Sequence, residues 1–197
     1  MKPDRLNALT DGVVAVALTV MVLEIRFPAE PDLRSVVAVL PLLAAYLLAF
    51  VNVAIYWNNH HHLMQSARKV TGGVLWANHA LLFFLTLFPL MIRWIGDAGI
   101  TPWPVASFGV VLICAAVAYQ LLERTLIRAE GGESKVKRAL GAGIKEWISS
   151  ILYLSAVPLA FLSPYISVAI YIGVSILWLV PDRRFERGLQ PSDAQPT

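Results

Sequence analysis

Charge and cysteine are what this chain has least of. Charged residues make up 15% of its 197 residues, against about 25% in soluble domains. So few charges would hardly cover the surface of a soluble domain. Cys114 is the single cysteine, which excludes a disulfide scaffold. Nucleophile motif, zinc signature and phosphate-binding loop are all missing, so nothing points to an enzyme. No soluble domain, low-complexity tract or internal repeat stands out. Hydrophobic residues reach 57%, which excludes disorder. What remains is an all-α membrane protein that crosses the bilayer several times.

A membrane helix needs about 20 mostly apolar residues, because the hydrocarbon layer is ~30 Å thick and each residue rises ~1.5 Å. Apolar runs occupy 6–27, 33–57, 70–94 and 100–122. A fifth stretch, 147–180, is too long for one crossing. Ser163 and Pro164 divide it, since Ser suits an N-cap and Pro the first helical turn. Two short spans follow, 147–162 and 164–180. The expectation is six transmembrane helices in one domain, 1–182, with a polar cytoplasmic tail, 183–197. The segment 123–146 is expected to be a charged loop, helical in part.

Basic residues give the orientation. An even number of crossings puts both termini on one side. That side then holds Lys2, Arg5, Arg68, Lys69, Arg124, Arg128, Lys135, Lys137, Arg138, Lys145, Arg183, Arg184 and Arg187, and only Arg26, Arg34 and Arg93 lie opposite. Both termini are therefore expected in the cytoplasm, with the protein in the cell (inner) membrane. The net charge of +3 reflects this orientation, not nucleic-acid binding. A cleaved secretory signal is not expected, because Asp11 interrupts the first apolar run.

The first run deserves a helical projection. At ~100° per residue, with Val16 at zero, Gly12 falls near −40°, Thr19 near −60° and Leu23 near −20°, while Asp11 falls near −140°. Gly12, Val16, Thr19 and Leu23 thus share one stripe, and the acid points elsewhere. By periodicity alone the stripe packs against lipid or protein, with Thr19 bonding back to the carbonyl one turn earlier. A conduction path is the sharper alternative.

The segment Arg5-Leu6-Asn7-Ala8-Leu9-Thr10-Asp11, with the helix that follows it to Ile25, resembles the signature of the transmembrane protein 175 family of potassium channels, in its prokaryotic branch. That signature is an Arg, three residues, then Phe-Ser-Asp, with a Thr eight residues after the Asp. Leu9 and Thr10 stand here for its Phe and Ser. Trp57-Asn58-Asn59-His60-His61 resembles the family's Trp-x-x-His-His, and Leu75-Trp76-Ala77-Asn78 its Leu-Trp-x-Asn. The similarity covers the first three spans, and the later ones agree in character only.

The resemblance implies a homotetramer of six-helix subunits with helix one lining a central pore. Carried over residue by residue, Val16 is the apolar constriction, Thr19 a hydroxyl ring and Leu23 an outer apolar ring. Gly12 lies on the same stripe. It further implies a potassium-permeable, modestly selective, leak-type cation channel. The permeant ion is potassium, no cofactor or metal is expected, and the partners are potassium, further copies of the chain and the bilayer. The Thr-Val-Gly-Tyr-Gly filter of ordinary potassium channels is absent. Val16 is smaller than the Ile or Leu usual in the family, which predicts a slightly wider or wetter constriction.

A polar cluster is expected where the first three helices meet at their cytoplasmic ends. It comprises Asp11, His60, His61, Trp76 and Asn78, with the motif residues Arg5, Thr10 and Trp57. Asp would accept, and the Trp indole and Asn amide would donate. Such a network would fix helix one against helices two and three. Metal binding by His60–His62 is the rival, but adjacent residues on a helix point ~100° apart and do not readily share an ion. Asn52, His79, Gln120 and Glu123 read as interhelical hydrogen-bonding residues. Glu24 either attracts cations or pairs with Arg26 or Arg93. The alternative to a channel is a secondary transporter of a small cation or a proton-coupled substrate, a class that uses interrupted helices.

Overall fold

The computed structural model describes residues 3–29, 32–65, 67–131 and 144–179, and every regular element among them is α-helical. Seven helices follow in order: α1 (Pro3–Leu23), α2 (Leu33–Gln65), α3 (Gly72–Leu85), α4 (Phe88–Ala98), α5 (Pro102–Glu130), α6 (Ile144–Leu159) and α7 (Pro164–Leu179). The tail expected at 183–197 lies outside the described residues, as does the middle of the loop expected at 123–146.

Among the described residues, four stretches are long and apolar enough to cross a membrane: α1, α2, α3 with α4 together (Gly72–Ala98), and α5. The helices α6 and α7 have 16 residues each. Apolar runs and helices do not end together, because a run measures where the apolar surroundings stop and a helix ends where its backbone is capped or broken. The first helix ends at Leu23, short of 27. Pro28 disfavours a helical conformation at Phe27, and the amide of Ile25 closes a last tight turn on Val22 O at 3.2 Å. The second helix runs on past Trp57 to Gln65, so His60, His61 and His62 are helical. The fourth run continues as helix to Glu130.

The third span is broken at Thr86 and Leu87, where the apolar pattern predicts one helix. Pro89 lacks an amide hydrogen, and its ring clashes with the carbonyl four residues back in a continuous helix. The chain therefore restarts, with Pro89 in the first turn of α4. Thr86 Oγ1 donates to Phe83 O at 2.7 Å, and Leu87 N to Phe84 O at 3.2 Å. Other boundaries follow ordinary rules. Thr71 caps α3, Gly99 (φ 73°) follows α4, and Pro102 starts α5.

The central helix is α5, which packs against α3, α4, α6 and α7, while α1 packs on α2, α3 and α4. Leu112, Ala115, Leu122 and Leu126 of α5 are fully buried. Between apolar helices in lipid the attraction comes from close packing and interhelical hydrogen bonds. Small residues permit both. Gly109 lets Tyr171 of α7 reach across to Val105 O, at 3.2 Å.

Candidate pore face and its anchoring network

Two stripes divide α1. Leu6, Thr10, Val14, Ala17 and Met21 are buried against the rest of the subunit. Gly12, Val16, Thr19 and Leu23 are exposed, Val16 at 62% and Leu23 at 72%. At ~100° per residue the two stripes lie roughly 150° apart. The stripe identified in the sequence therefore faces away from the subunit's own core. Thr19 Oγ1 donates to Ala15 O at 2.8 Å. Its proton is committed to the backbone, and its lone pairs remain for an outside partner.

Beside this stripe runs an open, apolar groove of ≈ 630 Å³, which Leu9, Val16 and Val20 share with Thr86 and Pro89 from the break between α3 and α4.

The polar residues at the N-terminal end of α1 form two separate connections. The inner one is buried. Asn78 Nδ2 on α3 donates to Thr10 Oγ1 on α1 at 3.1 Å, and Asn78 Oδ1 meets His60 Nε2 of α2 at 2.8 Å. Because the amide oxygen of Asn78 faces the ring, Nε2 of His60 carries the hydrogen. Three helices are thus joined through one chain of side chains, Thr10, Asn78 and His60 all being buried. The outer connection is exposed on the subunit. Trp57 Nε1 donates to Asp11 Oδ1 at 2.7 Å, and the Trp57 ring stacks on His61 at 5.7 Å.

The expected residues are divided accordingly. Trp57, not Trp76, is the indole that meets Asp11. Trp76 is 78% exposed and touches His79 at 5.9 Å. Asn78 donates to Thr10 and not to Asp11. Arg5 is exposed, on the turn of α1 before both connections. His61 meets Gln65 at 2.8 Å, and its ring lies edge-on to His62. No group of three or more metal-binding side chains comes together among the described residues. Near the other end of α1, Arg93 pairs with Asp97 at 3.9 Å, an exposed pair on one helix.

Asn52 and Gln120 do bond between helices. Asn52 Nδ2 donates to Ser175 Oγ at 2.9 Å and its Oδ1 accepts from Tyr153 at 3.4 Å, while Gln120 Nε2 donates to Ser150 at 3.4 Å. His79 bonds within its own helix, to Leu75 O. Sequence reasoning missed Tyr153 and Ser175. Ser167 and Ser175 are the only serines within the apolar α7, which was the available signal.

At the start of α2, Asp32 Oδ1 accepts from Ser35 N at 2.7 Å. This cap holds the exposed carboxyl below its ordinary pKa, chiefly through the Ser35 backbone amide.

Comparison with known proteins bears on this geometry. Residues 5–89 match the family model described as endosomal/lysosomal potassium channel TMEM175. The chain is 45% identical over 190 residues to a potassium channel of Chryseobacterium, covering 96% of this chain and 99% of the relative. It is 26% identical to a potassium channel of Chamaesiphon minutus, over 87% of this chain and 91% of the relative. Its fold matches the crystal structure of a lysosomal potassium-selective channel TMEM175 homolog from Chamaesiphon minutus with a TM-score of 0.78, at 22% identity and covering 95% of this chain and 98% of that one. By the first of these relatives and the family model, the chain belongs to the TMEM175 family of potassium channels.

Proposed function

We propose that this protein is a potassium-permeable, modestly selective leak channel, in which four copies meet around the exposed stripe of α1. One observation carries the reading. Gly12, Val16, Thr19 and Leu23 form a stripe that the subunit's own core leaves uncovered. The potassium-channel relatives support it. Each subunit crosses the membrane six times, with α3 and α4 as one interrupted crossing and α6 and α7 as two short ones. The distribution of lysine and arginine puts both termini in the cytoplasm. The apolar groove beside α1 receives the α1 of a neighbouring copy.

Conduction follows from the side chains. Four Val16 side chains form a narrow apolar ring, which an ion crosses only where the ring is wide enough to stay wet. Stripping water from an ion is costly. Four Thr19 oxygens, whose hydrogens are committed to Ala15 O, return part of that coordination. The two polar connections hold each α1 in the rotation that turns this stripe to the axis.

The interruption at Thr86 and Leu87 supports a second reading, a transporter. Broken helices beside a candidate path are a transporter feature, and Thr86 and Pro89 border the groove along α1. Potassium flux from loaded liposomes separates the two. A channel gives currents that follow the gradient, without saturation at low millimolar concentration, and that change in Val16→Asn and Leu23→Asn. Saturating, stoichiometrically coupled flux sinks the channel reading. Flux that is absent, or indifferent to both substitutions, leaves no pore on this stripe.

A further inference from the structure

Away from α1, the helices α2, α5, α6 and α7 line a half-open cavity of ≈ 40 Å³. One water needs about 10–15 Å³ of such space. The cavity therefore holds about three waters or one small polar molecule. None of its lining residues lies on α1, so it is separate from the proposed conduction path.

Several donors of its wall are already committed. Asn52 Nδ2 is shared between Leu48 O (2.8 Å) and Ser175 Oγ (2.9 Å). Trp178 Nε1 donates to Ser149 at 2.8 Å, and Gln120 Nε2 to Ser150 at 3.4 Å. Ser150 in turn donates to Glu146 O at 2.7 Å. The hydroxyls of Tyr153 and Tyr56 donate to Asn52 Oδ1 (3.4 Å) and Leu112 O (3.5 Å). Besides the amide of Asn59 and the hydroxyl of Tyr119, the wall offers acceptors and aromatic faces. Glu146 brings a carboxylate, Gln120 an amide oxygen, and Tyr56 and Tyr119 bring rings 6.0 Å apart.

An anion is repelled by Glu146. A cation with N–H donors is favoured by the carboxylate and the rings, since carboxylates accept charge-assisted bonds and aromatic faces attract cations. We propose that this cavity is a binding site for a small protonated amine of methylammonium size, held by Glu146 and the rings of Tyr56 and Tyr119. The bound amine bridges α2, α5 and α6 within one subunit. The site does not rest on conduction, and its test reads binding alone.

The experiment is saturation-transfer NMR of methylammonium chloride with the full chain in lipid nanodiscs. Saturable binding is expected. Glu146→Gln should weaken it about tenfold, the scale of one charge-assisted contact. Asn59→Asp, which adds a carboxylate to the same wall, should tighten it, so the test survives a variant that folds poorly. Three results overturn the proposal. One is no saturable binding, or binding equal in the wild type and both variants. Another is a signal that vanishes in Val16→Asn, which belongs to the pore face. The third is complete displacement by equimolar potassium chloride, which assigns the cavity to an inorganic cation.

Discussion

The phenolic oxygen of Tyr171 occupies the space that a side chain at Gly109 would need. A β-carbon built on Gly109 falls 2.0 Å from that oxygen and 3.0 Å from a methyl of Val157. Three helices converge there, α5, α6 and α7, and Tyr171 uses the gap to bond Val105 O. Replacing a helical glycine normally helps a helix by about 1 kcal/mol. Here the clash decides the sign. Gly109→Ala should lower thermal stability in detergent by about 1–3 kcal/mol, the usual scale for overpacking. Adding Tyr171→Phe should recover part of the loss by removing the offending oxygen. A stable Gly109→Ala protein would mean that α7 packs elsewhere.

The proposed pore face gives a pair of substitutions with opposite signatures. Val16→Ile narrows the apolar ring, so the sodium-to-potassium permeability ratio of the wild type should exceed that of the variant. Thr19→Val removes the oxygens while keeping the shape, so potassium preference should fall toward unity. Both residues are exposed in the subunit, and each change should alter stability by less than about 0.5 kcal/mol. Reversal potentials under bi-ionic conditions decide both.

The two connections that hold α1 differ in burial, and their loss should differ too. Asn78→Leu strands His60 and Thr10, both buried. Each unsatisfied buried group costs about 1–3 kcal/mol. Trp57→Phe removes one exposed bond to Asp11 and should cost about 0.5–1.5 kcal/mol. Chemical unfolding of both variants checks the ranking. Equal losses would show that the buried triad is not the stronger tie.

Asp32 gives a pH dependence with a definite sign. Its folded pKa lies below the ordinary value of 3.8 because the ionised carboxylate accepts from Ser35. A depressed pKa stabilises the fold at pH values above the unfolded one, and that contribution disappears as pH falls through the folded value. Asp32→Asn keeps a capping oxygen without a titrating charge. The melting temperature of the wild type should therefore fall relative to that of Asp32→Asn as pH drops from 5 to 3. A difference independent of pH would remove the cap.

Much of the fold was legible because its signals are local. Apolar runs marked the crossings, and Pro164 marked the start of α7. The break at Thr86 was also written locally, in Pro89, but an unbroken apolar pattern concealed it. The extra turns of α2 beyond Trp57 were hidden for the opposite reason, since polar residues end a membrane run without ending a helix. In the site, the motif residues were identifiable one by one. Their pairing was not, because Trp57 and Trp76 offer the same donor.

By itself the sequence determined how many apolar segments there are, which residues share a stripe on α1, and that Thr10, Asp11, His60 and Asn78 lie near one another. Periodicity measures angles within one helix and carries nothing about that helix's rotation against its neighbours. Only the tertiary structure decided that Leu6, Thr10 and Val14 turn inward while Val16, Thr19 and Leu23 are left uncovered. It alone chose Trp57 for Asp11 and gathered Tyr56, Tyr119 and Glu146 around one cavity. Lipid, core and pore faces are apolar alike, so packing between helices distant in the chain had to make those choices.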